Sequence, residues 1–266
     1  MRYTNAVYDS PTSRRYRVRE GIVLRRHSLP NGNLIVTLLS VTGKWQASVQ
    51  KSRRPGGNVG KLSLFHDVTV QYYQKNDDML PYIIQVQLNG ALPRLSLPDI
   101  YPYAHIVTEL SERLSVDAPA ESLHSYLASA LRGLSEHHDP GLVALLMSWR
   151  LLQQAGFAPR LKRCVRCTAA LSTKTSTDAP ADIAAENALY FDVAAGGMVC
   201  ASCRTGTLLP PLAYAELQGM LLRPVRESLQ AELHDMAWHW RLLRHYVNYH
   251  VGEIESLRAY PPEARG

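Results

Sequence analysis

All four cysteines of the chain fall into two matched pairs, Cys164 with Cys167 and Cys200 with Cys203, each spaced C-x2-C, with 32 residues between the pairs. Two such pairs suit a tetrahedral zinc ion, which takes four thiolates at about 2.3 Å. A thioredoxin-like redox site uses a single pair beside a strand and helix start. Disulfides belong to oxidising compartments, and no secretory signal is evident. The gap between the pairs is longer than the usual ~15–20 residues, so the chain must make an excursion. Residues 169–188, rich in Ala, Ser, Thr and Asp, read as a flexible loop. A strand over 189–193 and a turn over 194–197 then lead into the second pair. The pattern predicts a zinc ribbon holding one structural ion. With four protein ligands no position is left open for a substrate, so a catalytic metal is not expected.

The second signal is charge. The net charge is +6, but residues 1–95 carry 14 Lys/Arg against 5 Asp/Glu, and residues 96–266 carry 15 against 18. A basic first third of this kind suits a polyanionic partner. Arg14, Arg15, Arg17, Arg25, Arg26, Lys44, Lys51, Arg53, Arg54 and Lys61 are the candidate nucleic-acid contacts. Arg53 and Arg54 lie in a Gly-rich loop suited to reaching a phosphate. Tyr16 and Trp45 could stack on bases. Trp45 reads equally as core, because Ala47 and Val49 share its face.

Other motifs fall short of chemistry. Gly56-Gly57-Asn58-Val59-Gly60-Lys61 glances at a phosphate-binding loop, but Pro55 and Leu62 stand where that motif needs Gly and Ser/Thr. It reads as a flexible loop between strands. His137-His138-Asp139 and Asp77-Asp78 read as solvated turns. His234, His239, His245 and His250 are expected at the surface or core edge.

These residues need elements to hold them. Strands are predicted over 16–26, 34–40, 44–50, 68–74 and 82–88. Pro30-Asn31-Gly32-Asn33 supplies a hairpin turn, since Asn-Gly accepts the positive φ of tight turns. Five short strands in about 75 residues fit a small barrel, most economically an OB-fold, a common single-strand binder; an SH3-like barrel fits nearly as well. From residue 98 the period becomes helical, with helices expected over 101–114, 122–134, 142–155, 214–222 and 236–254. Asp139-Pro140 starts the third of these, and Pro224 interrupts between the last two.

The expected architecture is multi-domain α+β. A flexible segment (1–13) precedes an OB-fold nucleic-acid-binding domain (14–95). A helical bundle domain (96–160 and 205–260) follows, with the four-cysteine zinc ribbon (161–204) inserted in it. No stretch approaches the ~18 apolar residues of a membrane span. Ser13-Arg14-Arg15 resembles a twin-arginine start but lacks the apolar run such a signal requires. The expectation is a cytoplasmic, nucleoid-associated protein.

Read in order, Gly21-Ile22-Val23-Leu24-Arg25-Arg26, Asn33-Leu34-Ile35-Val36-Thr37-Leu38-Leu39-Ser40, Gly43-Lys44 and the Arg-rich loop to Leu64-Phe65 resemble RecO, the bacterial recombination mediator family. The helical segment 142–157, Arg163-Cys164 and the late Cys200 and Cys203 are similar to its zinc-bearing branch. The long insert after Cys167 and residues 1–13 depart from the family pattern and are expected to be flexible. The resemblance implies a non-enzymatic DNA repair protein. Such a protein binds single- and double-stranded DNA and anneals complementary strands. With RecR it helps load RecA onto DNA coated by the single-strand binding protein SSB. It also implies that the acidic, Phe-ended tail of SSB docks on the helical domain, where Arg132, Arg150 and Lys162 lie near apolar faces. Two other classes compete. A nucleic-acid-modifying enzyme with OB and ribbon modules would need a cofactor loop or carboxylate constellation that the sequence lacks. A pure interaction adaptor would bind no nucleic acid in a salt-sensitive way.

Overall fold

A computed structural model of the chain describes residues 15–50, 57–116, 119–171 and 188–258. The chain divides into two compact units, Met1–Pro93 and Arg94–Gly266.

The first unit is a closed five-stranded barrel. Its strands are β1 (Tyr16–Ser28), β2 (Leu34–Ser40), β3 (Gly43–Val49), β4 (Asp67–Tyr73) and β5 (Tyr82–Gly90), ordered β1-β2-β3-β5-β4 with β4 returning to β1. Strand β1 is long because it serves two neighbours. Residues 16–22 pair with β4, and residues 22–28 pair with β2. Gly21 stands where β1 changes partner. A Cβ there would lie 2.7 Å from the Leu39 carbonyl oxygen, so the barrel corner needs glycine. The β1–β2 turn is held by the Asn31 side chain, whose Oδ1 accepts from Asn33 N–H at 3.0 Å. A single parallel bridge, Ser48 with Tyr82, joins β3 to β5 and closes the wall.

The interior is filled by alternate residues of β2 (Val36, Leu38), β3 (Ala47, Val49) and β4 (Val68, Val70, Tyr72), and by Ile83 and Val86 of β5, which lie three apart across a register shift. Where the loop expected to be flexible falls among the described residues, it is ordered. Residues Asn58–Lys61 form a helical turn, α1, and Leu62 behind it is fully buried. Asn58 explains why: its side chain donates to Ile84 O at 2.8 Å and accepts from Val86 N–H at 3.2 Å, mimicking a strand partner for β5.

The second unit opens with a 3-10 turn (Pro93–Ser96) and three helices, α2 (Tyr101–Leu114), α3 (Ala120–Glu136) and α4 (Pro140–Gln154). Asp139 caps α4 by accepting from Leu142 N–H at 2.9 Å, with Pro140 in the first turn. Helix α4 is buried on nearly every side, which is why its sequence is apolar all round rather than striped. A small three-stranded sheet follows, β6 (Tyr190–Asp192), β7 (Gly197–Val199) and β8 (Thr207–Leu208), ordered β7-β6-β8. Helices α5 (Ala213–Leu222), α6 (Val225–Ser228), α7 (Met236–His250) and α8 (Glu255–Arg258) complete the unit.

The helix expected over 236–254 ends at His250. The N–H groups of Val251 and Gly252 both bond to Val247 O, closing α7. Ile254 continued the apolar period because the chain turns back and buries it together with Leu257 of α8. His239 is not at an edge. It is fully buried, and its Nε2 bonds Glu216 Oε2 at 2.7 Å, while the other Glu216 oxygen takes His234 Nδ1 at 2.9 Å. Among the described residues no helix is long and apolar enough to cross a membrane.

Candidate metal centre and nucleic-acid interface

The two C-x2-C segments fold into matching turns. Thr168 N–H bonds to Cys164 O at 2.9 Å, and Arg204 N–H bonds to Cys200 O at 3.1 Å. The residue after each pair, Thr168 or Arg204, adopts positive φ (62° and 48°), which swings the chain away once both thiols have been delivered. All four Sγ atoms lie within 4.8 Å of one another, with Cys167 and Cys200 at 3.6 Å. Tetrahedral Zn–S bonds of ~2.3 Å separate sulfurs by about 3.8 Å, so the donor set and its spacing fit such an ion.

The surroundings favour thiolate at Cys164 and Cys200. Burial opposes ionisation at Cys164, but the N–H groups of Cys167, Cys200 and Arg166 outweigh it and bring its pKa down to about 6. The Cys203 thiol is pushed up to about 12 by its hydrogen bonds to Cys167 and Cys200.

A chain of four contacts fixes the centre to its unit. Arg166, between the first two cysteines, donates to Asp192 Oδ2 at 2.5 Å, and Asp192 Oδ1 accepts from Ala195 N–H at 2.9 Å. The Ala195 N–H, ahead of the Arg166 guanidinium, holds that carboxyl below the usual carboxylate range. Phe191 of β6 is buried against Tyr246 of α7 (centroids 5.9 Å), which in turn meets Trp149 of α4 at 5.2 Å. Gly206 leads into β8 at φ 94°, where any Cβ would collide with the Phe191 carbonyl.

The candidate cations scatter over the barrel. Arg14, Lys51, Arg53 and Arg54 lie outside the described residues. Arg15, Arg17, Arg25, Arg26 and Lys44 are exposed, and Arg17 reaches Asp77 at 3.3 Å. Arg25 and Arg26 sit beside β2 at the far end of β1 from Arg15 and Arg17. Lys61 Nζ donates to Val86 O at 3.0 Å. Trp45 is partly buried; its ring packs on Tyr72 (4.8 Å) and carries the Arg19 guanidinium at 5.2 Å. With both neighbours in place it serves the barrel, whereas Tyr16 is half exposed. Arg19, absent from the sequence-based candidates, could not be singled out without knowing that β1 and β3 bring it over Trp45.

In the second unit Arg150 donates to the carbonyls of Leu221 (2.9 Å) and Arg223, closing the C-terminus of α5. Leu221 also lines a cavity of about 490 Å³, together with Ala158, Pro159, Leu161, Val165 and Leu222, and with Lys162 among the polar lining. Lys162 lines this cavity, whereas Arg150 is not among its lining residues and bonds to the carbonyl of Leu221, which is. Arg132 is exposed on α3 and is not among the residues lining this cavity.

Residues 98–258 match the family model described as Recombination protein O C terminal. The match covers more than half of the chain and includes the four cysteines, whose clustering supports the zinc-binding branch. The chain belongs to the RecO family of recombination proteins.

Proposed function

We propose that this chain is a non-enzymatic recombination mediator that binds single- and double-stranded DNA and anneals complementary strands. With RecR it helps load RecA onto DNA coated by SSB. The observation that carries the reading is the family match over 98–258. The barrel ahead of that match supports it. Its strand order and closure are those of an OB-fold, whose β2–β3 face and loops commonly hold oligonucleotides. Annealing is opposed by phosphate repulsion; exposed Arg25, Arg26 and Lys44 would neutralise part of it and release counterions, so activity should fade with salt.

The four cysteines take one structural zinc in this reading, closing the ribbon and leaving no open position. The acidic, Phe-ended SSB tail would meet the second unit at the apolar cavity beside Lys162, with Leu161, Val165 and Leu221 receiving its ring. Arg132 would then act at a distance from that cavity or not at all.

The decisive experiment is annealing of two labelled complementary oligonucleotides, bare and SSB-coated, across a salt series without ATP. Acceleration that fades with salt and survives the SSB coat is the expected result. No acceleration and no DNA binding at low salt would leave a zinc-stapled adaptor instead. Joint reversal of Arg53 and Arg54 to Glu should lower DNA affinity and the salt slope; unchanged binding removes that loop from the interface.

A further inference from the structure

The barrel register places three tyrosines in one row across its outer wall. Tyr16 of β1 faces Tyr73 of β4, and Tyr73 faces Tyr82 of β5. The Tyr16 and Tyr73 rings are 5.5 Å apart, Tyr16 is 50% exposed and Tyr82 39%. Beside the row stands a second, Val18–Gln71–Gln85, with Val18 65% exposed. The Tyr82 hydroxyl reaches the Gln50 side chain at 3.3 Å.

We infer that this tyrosine row is a stacking platform for unpaired bases, and that it gives the protein a preference for single-stranded over duplex nucleic acid. The inference rests on the DNA-binding reading above and names a surface within it. The chemistry selects the occupant. Wet aromatic rings in a row offer π-faces that any base can use. The neighbouring amides of Gln50, Gln71 and Gln85 supply uncharged donors and acceptors suited to base edges. No carboxylate stands in either row. Of the nearby acids, Asp77 in the loop joining Tyr73 to Tyr82 pairs with Arg17 at 3.3 Å, and Glu20 receives the Thr69 hydroxyl at 3.4 Å. The described residues of the barrel unit carry eight Lys/Arg against four Asp/Glu, so a polyanion is attracted to this unit. In a duplex the base faces are already stacked, so only an unpaired strand can use the rings. Trp45, the other aromatic candidate, has its ring engaged by Tyr72 and Arg19.

The test compares the full chain with Y16S/Y73S/Y82S and Y16F/Y73F/Y82F, titrated against a labelled 30-nucleotide oligo-dT and a duplex of equal length. The Ser variant should lose roughly fivefold or more in oligo-dT affinity for each ring that stacks. Its duplex affinity and its salt slope should hold, and the Phe variant should match the wild type. Unchanged oligo-dT binding by the Ser variant overturns the platform while leaving the DNA-binding reading intact. Equal loss on both forms also overturns it, since the wall would then be reading backbone. A wild type that binds neither form overturns the DNA-binding reading and the platform together. Should the triple Ser variant melt early, Tyr16→Ser alone decides, with the same criteria.

Discussion

In the metal centre each pair of thiols is delivered by a turn closed over five residues, Cys164 to Thr168 and Cys200 to Arg204. On the barrel wall each tyrosine comes from a different strand, and residues 16, 73 and 82 meet only because β1, β4 and β5 pair in one register. The first arrangement is local and self-contained once a metal closes it. The second exists only while the whole barrel holds its register, because a one-residue slip would turn every ring to the other face. The contrast carries over to energetics. In the proposed reading the centre would gather coordination energy at one point, while the wall would spread binding over several cations and rings.

Removing the metal should have the largest effect. Protein purified without chelator should carry about one zinc per chain by elemental analysis. Isolated zinc peptides gain ~10–16 kcal/mol from the ion, so Cys164→Ser should lose the metal and lower the melting temperature of the helical unit markedly. Oligo-dT affinity at low salt should change less than about twofold. A zinc-free chain of unchanged stability would break the comparison at its root.

Backbone geometry comes next. Gly206→Ala forces a left-handed φ and a collision with Phe191 O, and should cost more than about 3 kcal/mol in the second unit. Gly21→Ala, with its Cβ 2.7 Å from Leu39 O, should strain the barrel corner instead. Urea unfolding followed separately for the two units would show whether each change stays where its contact lies.

A smaller effect is expected at Glu216. Glu216→Ala leaves His239 buried with its Nε2 unpartnered and should cost about 2–3 kcal/mol. The pH dependence has a defined sign. Burial lowers the His239 pKa from 6.5, so the unfolded chain binds that proton first and stability falls as pH drops through 6.5. Burial works the other way on Glu216, but its bonds from His239 and His234 win and lower its pKa from 4.5, so a further loss follows below 4.5. The difference between wild type and variant in thermal melts from pH 8 to 4 isolates this pair from acid release of the metal. A difference that does not change with pH would remove it as a source of acid sensitivity.

The least costly change to the fold is on the barrel surface. Arg25→Glu with Arg26→Glu should leave the melting temperature alone, lower DNA affinity, and reduce the salt slope by about 2. An unchanged slope would move the phosphate contacts to another part of the unit.

Much of this was legible in the residues themselves. Cys164, Cys167, Cys200 and Cys203 announced their centre because metal ligation needs a donor type at a short, fixed spacing, and a turn supplies the rest. The strands and most helix ends were legible for a similar reason: alternation, the Asn-Gly turn and the Asp139-Pro140 cap act within a few residues. Tertiary structure alone decided what depends on distant partners. It ordered residues 58–61 by offering β5 to the Asn58 side chain. It buried His239 by bringing Glu216 to it across 23 positions. It spent both neighbours of Trp45 on the barrel and joined Tyr73 and Tyr82 to Tyr16. A side chain's burial and the company it keeps are properties of the register between elements, and register is settled by packing the whole core at once.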